Sequence, residues 1–222
     1  MKKEVEAKLI EHEIKILEID VNKVREILID KGSKKILDDL THIEAYDFGE
    51  MDTPESDYGQ FTIYRDNSEL AELFIAQLQL AGRATNNLVD VSAYLRLRRE
   101  GKKQEIIFKQ KTDGNKLVKN ETEISMLVDD WEEAQQFLAV LGMKLVGIQE
   151  KHRESYILDN LRFDIDTWPG IPAYLEIEGE SIESIQKGVQ LLGYEMEETT
   201  SIGGKELFDN YGVDYKQMTF TR

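Results

Sequence analysis

Charged residues of like sign stand two positions apart in one short segment after another along this chain. In an extended strand, alternate side chains lie on opposite faces, so the members of each pair share a face. For a single strand, a solvated sheet face would explain such a pattern. The charged positions are Glu4, Glu6 and Lys8; Arg96 and Arg98; Lys109 and Lys111; Glu121 and Glu123; Lys151 and Arg153; Asp164 and Asp166; and Glu176 and Glu178.

The residues between these charges are often apolar, as Leu97, Ile165 and Ile177 are. Three amphipathic helices are predicted after Asp20, after Asp129 or Asp130, and after Ser181, and glycines at 32, 142 and 193 are expected to end them. Helices of this kind need an apolar surface to cover. If they cover the apolar strand faces, the charged faces line the inside of a curled or closed sheet. An ordinary surface would also mix the two signs rather than segregate them by strand.

The pattern predicts about eight strands and three or four covering helices, which is a single α+β domain over residues 1–222. The expected fold is an eight-stranded antiparallel closed β-barrel, a tunnel with a charged interior and helices packed outside. Besides the opening segment, the predicted strands are 34–48, 93–99, 104–111, 116–127, 143–158, 161–167 and 173–179, with a weaker one at 194–198. An inserted helical segment at about 55–90 interrupts this order. A lid and a dimerisation helix are both compatible with it, and we favour an appendage or an interface that makes a homodimer.

The net charge of −16 argues against nucleic-acid binding, because phosphate backbones require a basic surface. The chain has no cysteine and no apolar run long enough to span a membrane, and charges interrupt its first residues where a signal peptide would be apolar. We therefore expect a cytoplasmic protein without a membrane partner. His12, His42 and His152 are scattered and lack the spacing of metal ligands.

A barrel lined by eight carboxylates and seven cations needs partners for those charges. The arginine guanidinium can donate two parallel hydrogen bonds to phosphate oxygens, so the basic residues suit a ligand with several negative charges. Carboxylates at this density suit Mg²⁺ or Mn²⁺, which are hard cations that prefer oxygen ligands. Polyphosphate and a divalent metal together satisfy both sets, which predicts metal-assisted phosphoryl or nucleotidyl chemistry.

The order of these motifs resembles the CYTH family, the triphosphate tunnel metalloenzymes. The likeness rests on ExExK, RxR, KxK, ExE, KxR, DxD and ExE in succession, on the early blocks 46–48, 52–54 and 94–98, and on the late block 174–179. This resemblance implies an eight-stranded tunnel, a divalent metal and a small-molecule triphosphate substrate. It implies hydrolysis of inorganic triphosphate, thiamine triphosphate or a nucleoside triphosphate, or else cyclisation of ATP.

The resemblance also implies roles for single residues. Lys8, Glu4 and Glu6 would be catalytic, with Lys8 ordering or deprotonating the attacking water or forming a structural ion pair. The implied metal ligands are Glu4, Glu6, Glu121, Glu123, Asp164, Asp166, Glu176 and Glu178. The implied substrate-binding residues are Lys8, Arg96, Arg98, Lys109, Lys111, Lys151, Arg153 and Lys205.

Three functions compete at this point. A metal-dependent triphosphatase is the leading hypothesis, and a class IV-type adenylyl cyclase is the first alternative. The His-Phe pair that precedes ExExK in such cyclases is absent, since only Met1, Lys2 and Lys3 come before Glu4. The second alternative is a non-catalytic protein that binds nucleotide or polyphosphate. Apart from these functions, a structural protein that binds no triphosphate is the last option.

Overall fold

Long strands with alternating apolar and charged residues make up most of the protein. The computed structural model describes residues 7–47, 93–111, 119–140 and 143–220. In chain order the elements are β1 (Ala7–Ile16), α1 (Val21–Asp30), β2 (Lys34–Asp47), β3 (Ala93–Glu100), β4 (Lys103–Lys111), β5 (Lys119–Leu127), α2 (Trp131–Val140), β6 (Lys144–Leu158), β7 (Leu161–Thr167), β8 (Tyr174–Gly179), α3 (Ile182–Leu191), β9 (Thr199–Thr200), α4 (Gly204–Asn210) and β10 (Gln217–Met218).

The eight longer strands pair in the order β6-β2-β3-β4-β5-β1-β8-β7, and every one of these pairings is antiparallel. β6 additionally pairs with β7, from His152 opposite Thr167 to Leu158 opposite Leu161. Of the two short strands, β9 pairs with β1, and β10 runs parallel to β6. The prediction of an α+β fold built on an antiparallel sheet is therefore confirmed.

The helices cover apolar faces of this sheet. α1 buries Val24 and Leu28, and α3 buries Ile185 and Val189, in one core cluster with apolar residues of β1, β6, β7 and β8. α2 buries Ala134 and Leu138 against apolar residues of β2, β3 and β4. Apolar residues of these seven strands are thus covered by helices, which leaves the charged faces of those strands on the other side of the sheet.

The predicted helix starts are confirmed by capping hydrogen bonds. The Asp20 carboxylate accepts from the backbone N–H of Asn22 and Lys23 at the start of α1. Asp130, rather than Asp129, accepts from Glu133 N at the start of α2. Ser181 begins α3, with its hydroxyl accepting from Ser184 N.

A third apolar cluster lies around α4. Leu207 and Phe208 of this helix pack with Ile43, Trp168 and Tyr174, and the Trp168 ring meets Phe208 edge to face. The Trp168 indole N–H donates to the Tyr174 hydroxyl at 2.8 Å. This cluster adjoins the charged residues of the sheet, because Tyr174 lies opposite Asp166 in the pairing of β8 with β7.

Two sequence predictions differ from the structure. The weak strand expected at 194–198 is a 3-10 turn over Met196–Glu198, followed by the two-residue strand β9. The opening strand continues well past Lys8, to Ile16. The insertion predicted at 55–90 lies outside the described residues. Within the described ranges, no helix is long and apolar enough to cross a membrane.

Candidate active site

Strand register brings the predicted charged pairs of β6, β7 and β8 side by side. Asp166 of β7 lies opposite Arg153 of β6, and Asp164 lies opposite Glu176 of β8. Cross-strand partners share a face of the sheet, so these side chains converge. Arg153, Asp164 and Asp166 are almost completely buried, at 4%, 0% and 0% exposure.

Arg153 is the centre of this group. Its Nη1 lies 2.6 Å from Asp164 Oδ2, and its Nε donates to Asp166 Oδ1 at 2.6 Å. Its Nη2 contacts Asp166 Oδ2 at 2.6 Å and Glu176 Oε2 at 2.5 Å. Burial alone would lower the pKa of Arg153, but these carboxylates raise it well above the ordinary value. The guanidinium is a permanent cation held by three acids.

Lys151 lies two residues earlier on β6 and shares an acid with Arg153. Its Nζ donates to Asp166 Oδ2 at 2.7 Å and lies 5.3 Å from the centre of the Trp168 ring. Burial lowers the pKa of Lys151 and the neighbouring Arg153 lowers it further, against the opposing effect of Asp166. An added anion beside Lys151 would favour its charged form.

Arg162, on β7, is a cation of this site outside the set predicted from the sequence. Its Nε donates to Asp164 Oδ1 at 2.9 Å, and its Nη2 donates to Ser155 Oγ at 3.2 Å. Burial would lower its pKa, but Asp164 and Glu178 raise it. The signal was available, because Arg162 precedes Asp164 by two positions and extends the same-face series of this strand.

Lys15 and Glu13 are also absent from the predicted set, and both are buried. The Lys15 ammonium forms an ion pair with Glu13 and lies 3.2 Å from Glu176 Oε1. Burial would lower the pKa of Lys15, but Glu13 and Glu176 raise it above the ordinary lysine value. Glu11, Glu13 and Lys15 form a second ExExK motif, seven residues after Glu4, Glu6 and Lys8. The repeated spacing was the signal that could have identified them.

Glu13, Glu176 and Glu178 form a group suited to a metal ion. Each offers a carboxylate oxygen, and these oxygens lie within 4.8 Å of one another. Glu13 and Glu178 are direct partners in the pairing of β1 with β8, and Lys15 and Glu176 are the next pair on that face. Three converging carboxylates fit a hard divalent cation such as Mg²⁺ or Mn²⁺. Glu176 and Glu178 are two of the predicted metal ligands, and Glu13, which was not predicted, lies beside them.

Arg98, on β3, pairs with Glu105 of the neighbouring β4. Its Nε and Nη2 donate to Glu105 Oε1 at 3.0 and 2.6 Å. Lys103 contacts the other oxygen of Glu105 at 2.7 Å. Arg96 is partly buried two residues before Arg98, on the strand whose opposite face buries Leu95 and Leu97.

The other predicted positions of β1, β4 and β5 meet in register. Glu123 pairs with Lys8 of β1 on one side and with Lys109 of β4 on the other. Glu121 pairs with Lys111 in the same way and with Glu11 of β1. Three of these four pairings therefore place an acidic position opposite a basic one, and the fourth places Glu121 opposite Glu11.

One predicted residue, Lys205, lies apart from this arrangement. Lys205 lies on α4, where its largely exposed ammonium pairs with Asp209 at 2.6 Å and lies over the Tyr215 ring. Glu4 and Glu6 lie outside the described residues. Their assigned roles stay predictions.

Comparison with known proteins gives one family match. A family model described as the CYTH domain matches residues 84–201, more than half of the chain. The matched range includes β3 to β9 and begins after both ExExK motifs of the first strand. No curated protein matches the chain.

Solved structures of similar fold cover nearly all of the chain. The PH1012 protein of Pyrococcus horikoshii is 18% identical with a TM-score of 0.61, over 89% of this chain and 98% of that one. A candidate adenylate cyclase from Vibrio parahaemolyticus is 13% identical with a TM-score of 0.59, over 90% of this chain and 98% of that one. HpAC1 from Hippeastrum is an adenylyl cyclase candidate with dominant triphosphatase activity. It is 14% identical with a TM-score of 0.53, over 93% of this chain and 97% of that one. At these identities the likeness concerns the fold.

Proposed function

Because the chain belongs to the CYTH domain family, we propose that it is a divalent-metal-dependent hydrolase of small triphosphates bound in a charged tunnel. Members of this family are triphosphatases or adenylyl cyclase-like enzymes. The substrate class comprises inorganic triphosphate, thiamine triphosphate and nucleoside triphosphates. The dominant triphosphatase activity of HpAC1, a protein of similar fold, supports hydrolysis as the first choice.

One observation carries the proposal: buried acids and buried cations of three strands converge on a single face. Arg153 contacts Asp164, Asp166 and Glu176 together. Buried ion pairs are costly to form, so a network of this size favours a role in ligand binding over a role in stability. The pairing of β6 with β7, in addition to β2, supports a sheet that curls into a closed tunnel around these groups.

Glu13, Glu176 and Glu178 would hold the metal, with Asp164 and Asp166 next to them on β7. When bound, Mg²⁺ or Mn²⁺ would neutralise phosphate charge and activate the attacking water. The Lys15 ammonium now lies between Glu13 and Glu176. If these carboxylates held a cation instead, the Lys15 ammonium would be available to a phosphate oxygen or to the attacking water. The family resemblance implied this role for Lys8, with a structural ion pair as the alternative.

Arg98, Lys151 and Arg153 would bind the phosphate chain. Each already pairs with a carboxylate, so the cations are held in place before the substrate arrives. Preorganised cations stabilise developing negative charge without reorganising during the reaction. They also fix the triphosphate for in-line attack by water.

A substrate panel tests this function. The purified protein is incubated with inorganic triphosphate, thiamine triphosphate or ATP, each with Mg²⁺, Mn²⁺ or EDTA, and the products are separated by ion-exchange chromatography. We expect metal-dependent release of orthophosphate, abolished by EDTA. Cyclic AMP as the main product from ATP would replace the proposal with the cyclase. Binding of triphosphate without turnover under every metal condition would replace it with the non-catalytic binder.

A further inference from the structure

Glu100 is an acid placed among the cations of the site. It is the last residue of β3, and its side chain is only 10% exposed. Across the sheet it pairs with Thr41 of β2, and Thr41 pairs in turn with Lys151 of β6. Adjacent strands lie about 4.8 Å apart, so Lys151 and Glu100 stand two strands from each other in one row on one face. This separation is within the combined reach of their side chains.

Four cations act on the Glu100 carboxylate, and we call them the cation cradle: Arg98, Lys151, Arg153 and Arg162. Burial alone would raise the pKa of Glu100, but the cation cradle lowers it below the ordinary glutamate value. Glu100 is therefore an anion at neutral pH. Its charge is compensated by the same groups that would bind phosphate.

The contacts of Glu100 with its neighbours are long. Thr41 Oγ1 donates to Glu100 Oε1 at 3.4 Å, and Arg162 Nη2 lies 4.0 Å from Glu100 Oε2. A charge-assisted hydrogen bond of good geometry measures about 2.7–2.9 Å. The carboxylate is thus loosely held within its surroundings.

Every member of the cation cradle has a closer carboxylate elsewhere. Arg162 lies 2.9 Å from Asp164, and Lys151 lies 2.7 Å from Asp166. Arg153 also contacts Asp166, at 2.6 Å, and Arg98 contacts Glu105 at 2.6 Å. Displacing Glu100 would leave these short ion pairs intact. A different anion could then contact the cation cradle in its place.

We propose that Glu100 occupies the position of one phosphate group of the substrate and competes with that group for the cation cradle. This inference rests on the proposed function, and it adds Arg162 and Thr41 to the phosphate-binding residues. A phosphate group offers more acceptor oxygens and more negative charge than a carboxylate, so it displaces Glu100. Monovalent anions of low charge density do not. Glu100 would thereby set both the affinity for polyphosphate and the discrimination against weaker anions.

The test is a binding measurement that does not depend on turnover. Isothermal titration calorimetry with inorganic triphosphate in EDTA compares the wild type with Glu100→Gln, which keeps the shape and removes the charge. We expect the Kd to fall on the order of tenfold, which corresponds to about 1.4 kcal/mol, because Glu100→Gln removes a negative charge that competes with triphosphate for the cation cradle. The matched control is Glu26→Gln, which removes one exposed acid of α1 and leaves the Kd unchanged.

Glu100→Asp is the second variant, in case Glu100→Gln does not fold. It keeps the charge but withdraws the carboxylate by one methylene, and we expect a smaller tightening of triphosphate binding. An unchanged or weaker affinity in whichever variant folds would overturn the inference and make Glu100 an organiser of the cations. The proposed function fails separately, because it requires metal-dependent hydrolysis by the wild type.

Discussion

Arg153 is held by three carboxylates, and this contact set explains why charged residues are tolerated in a buried position. Transfer of an isolated ion out of water costs several kcal/mol even after relaxation. Asp164, Asp166 and Glu176 compensate that cost together, and Lys151 and Arg162 balance the acids in turn. At the scale of single residues, the site is a network in which each charge depends on its neighbours.

At this scale we predict that Glu13, of the second ExExK motif, is needed for metal binding. We expect Glu13→Gln to reduce Mn²⁺-dependent triphosphatase activity on the order of a hundredfold, because even residues that only support a metal ligand contribute on the order of 10–100-fold. Its carboxylate lies with Glu176 and Glu178. Mn²⁺ affinity, followed by calorimetry, should fall in parallel.

Glu6→Gln is the matched variant for the first motif. If Glu13 is the ligand, Glu6→Gln retains most of the activity and the metal affinity. The opposite result, with activity lost in Glu6→Gln and kept in Glu13→Gln, would assign the metal to the first motif.

At the scale of elements, the site depends on how closely helices approach the sheet. Gly188 of α3 is one point of contact: a Cβ built there would lie 3.0 Å from Leu161 Cδ1 and 3.3 Å from Phe163 Cζ. Leu161 and Phe163 belong to β7, the strand that carries Asp164 and Asp166 on its other face. A glycine at this position lets the helix lie flat against the strand.

We therefore predict that Gly188→Leu lowers the free energy of unfolding by about 1–3 kcal/mol, because overpacking displaces the helix or its neighbours. Urea denaturation followed by circular dichroism measures this change. Gln186→Leu is the control, since Gln186 is exposed on the same helix. It should change the free energy by less than about 0.5 kcal/mol. Equal effects of the two variants would contradict close packing at Gly188.

At the scale of the whole molecule, ion pairs on the outer side link helix α1 to the sheet. Glu154 of β6 contacts Arg25 of α1 at 2.6 Å, Lys35 of β2 at 2.8 Å and the Tyr156 hydroxyl at 2.9 Å. The hydrogen bond from Arg25 lowers the pKa of Glu154 to about 2, with Lys35 and Tyr156 acting in the same direction against burial. The ordinary glutamate value is 4.5.

A pKa lowered in the folded state stabilises the protein above the unfolded value and loses that contribution as pH falls through the folded value. The contribution of Glu154 to the free energy of unfolding is thus present above pH about 4.5 and is lost as the pH falls toward about 2. We predict that the urea midpoint of the wild type falls between pH 6 and pH 3, and that Glu154→Gln starts lower and falls less. Glu26→Gln should follow the wild type, and parallel curves for Glu154→Gln and the wild type would contradict this role.

Much of this architecture could be predicted from local sequence. Asp20, Asp130 and Ser181 begin helices because their side chains accept hydrogen bonds from backbone N–H groups two or three residues later. The two-residue spacing of Asp164 and Asp166 on β7 predicts that they share a face, because alternate residues of a strand point to the same side. These properties depend on neighbours within a few positions.

Local sequence does not determine which of the two ExExK motifs lies beside the acids of β8. Both motifs place charges two residues apart, so the spacing alone does not distinguish them. The pairing of β1 with β5 shifts register between Lys8 and Glu11, and the pairing with β8 places Glu13 opposite Glu178 and Lys15 opposite Glu176. The sequence by itself determined which residues share a strand face. Only the tertiary structure decided which of those faces meet, because cross-strand register depends on contacts between segments more than a hundred residues apart.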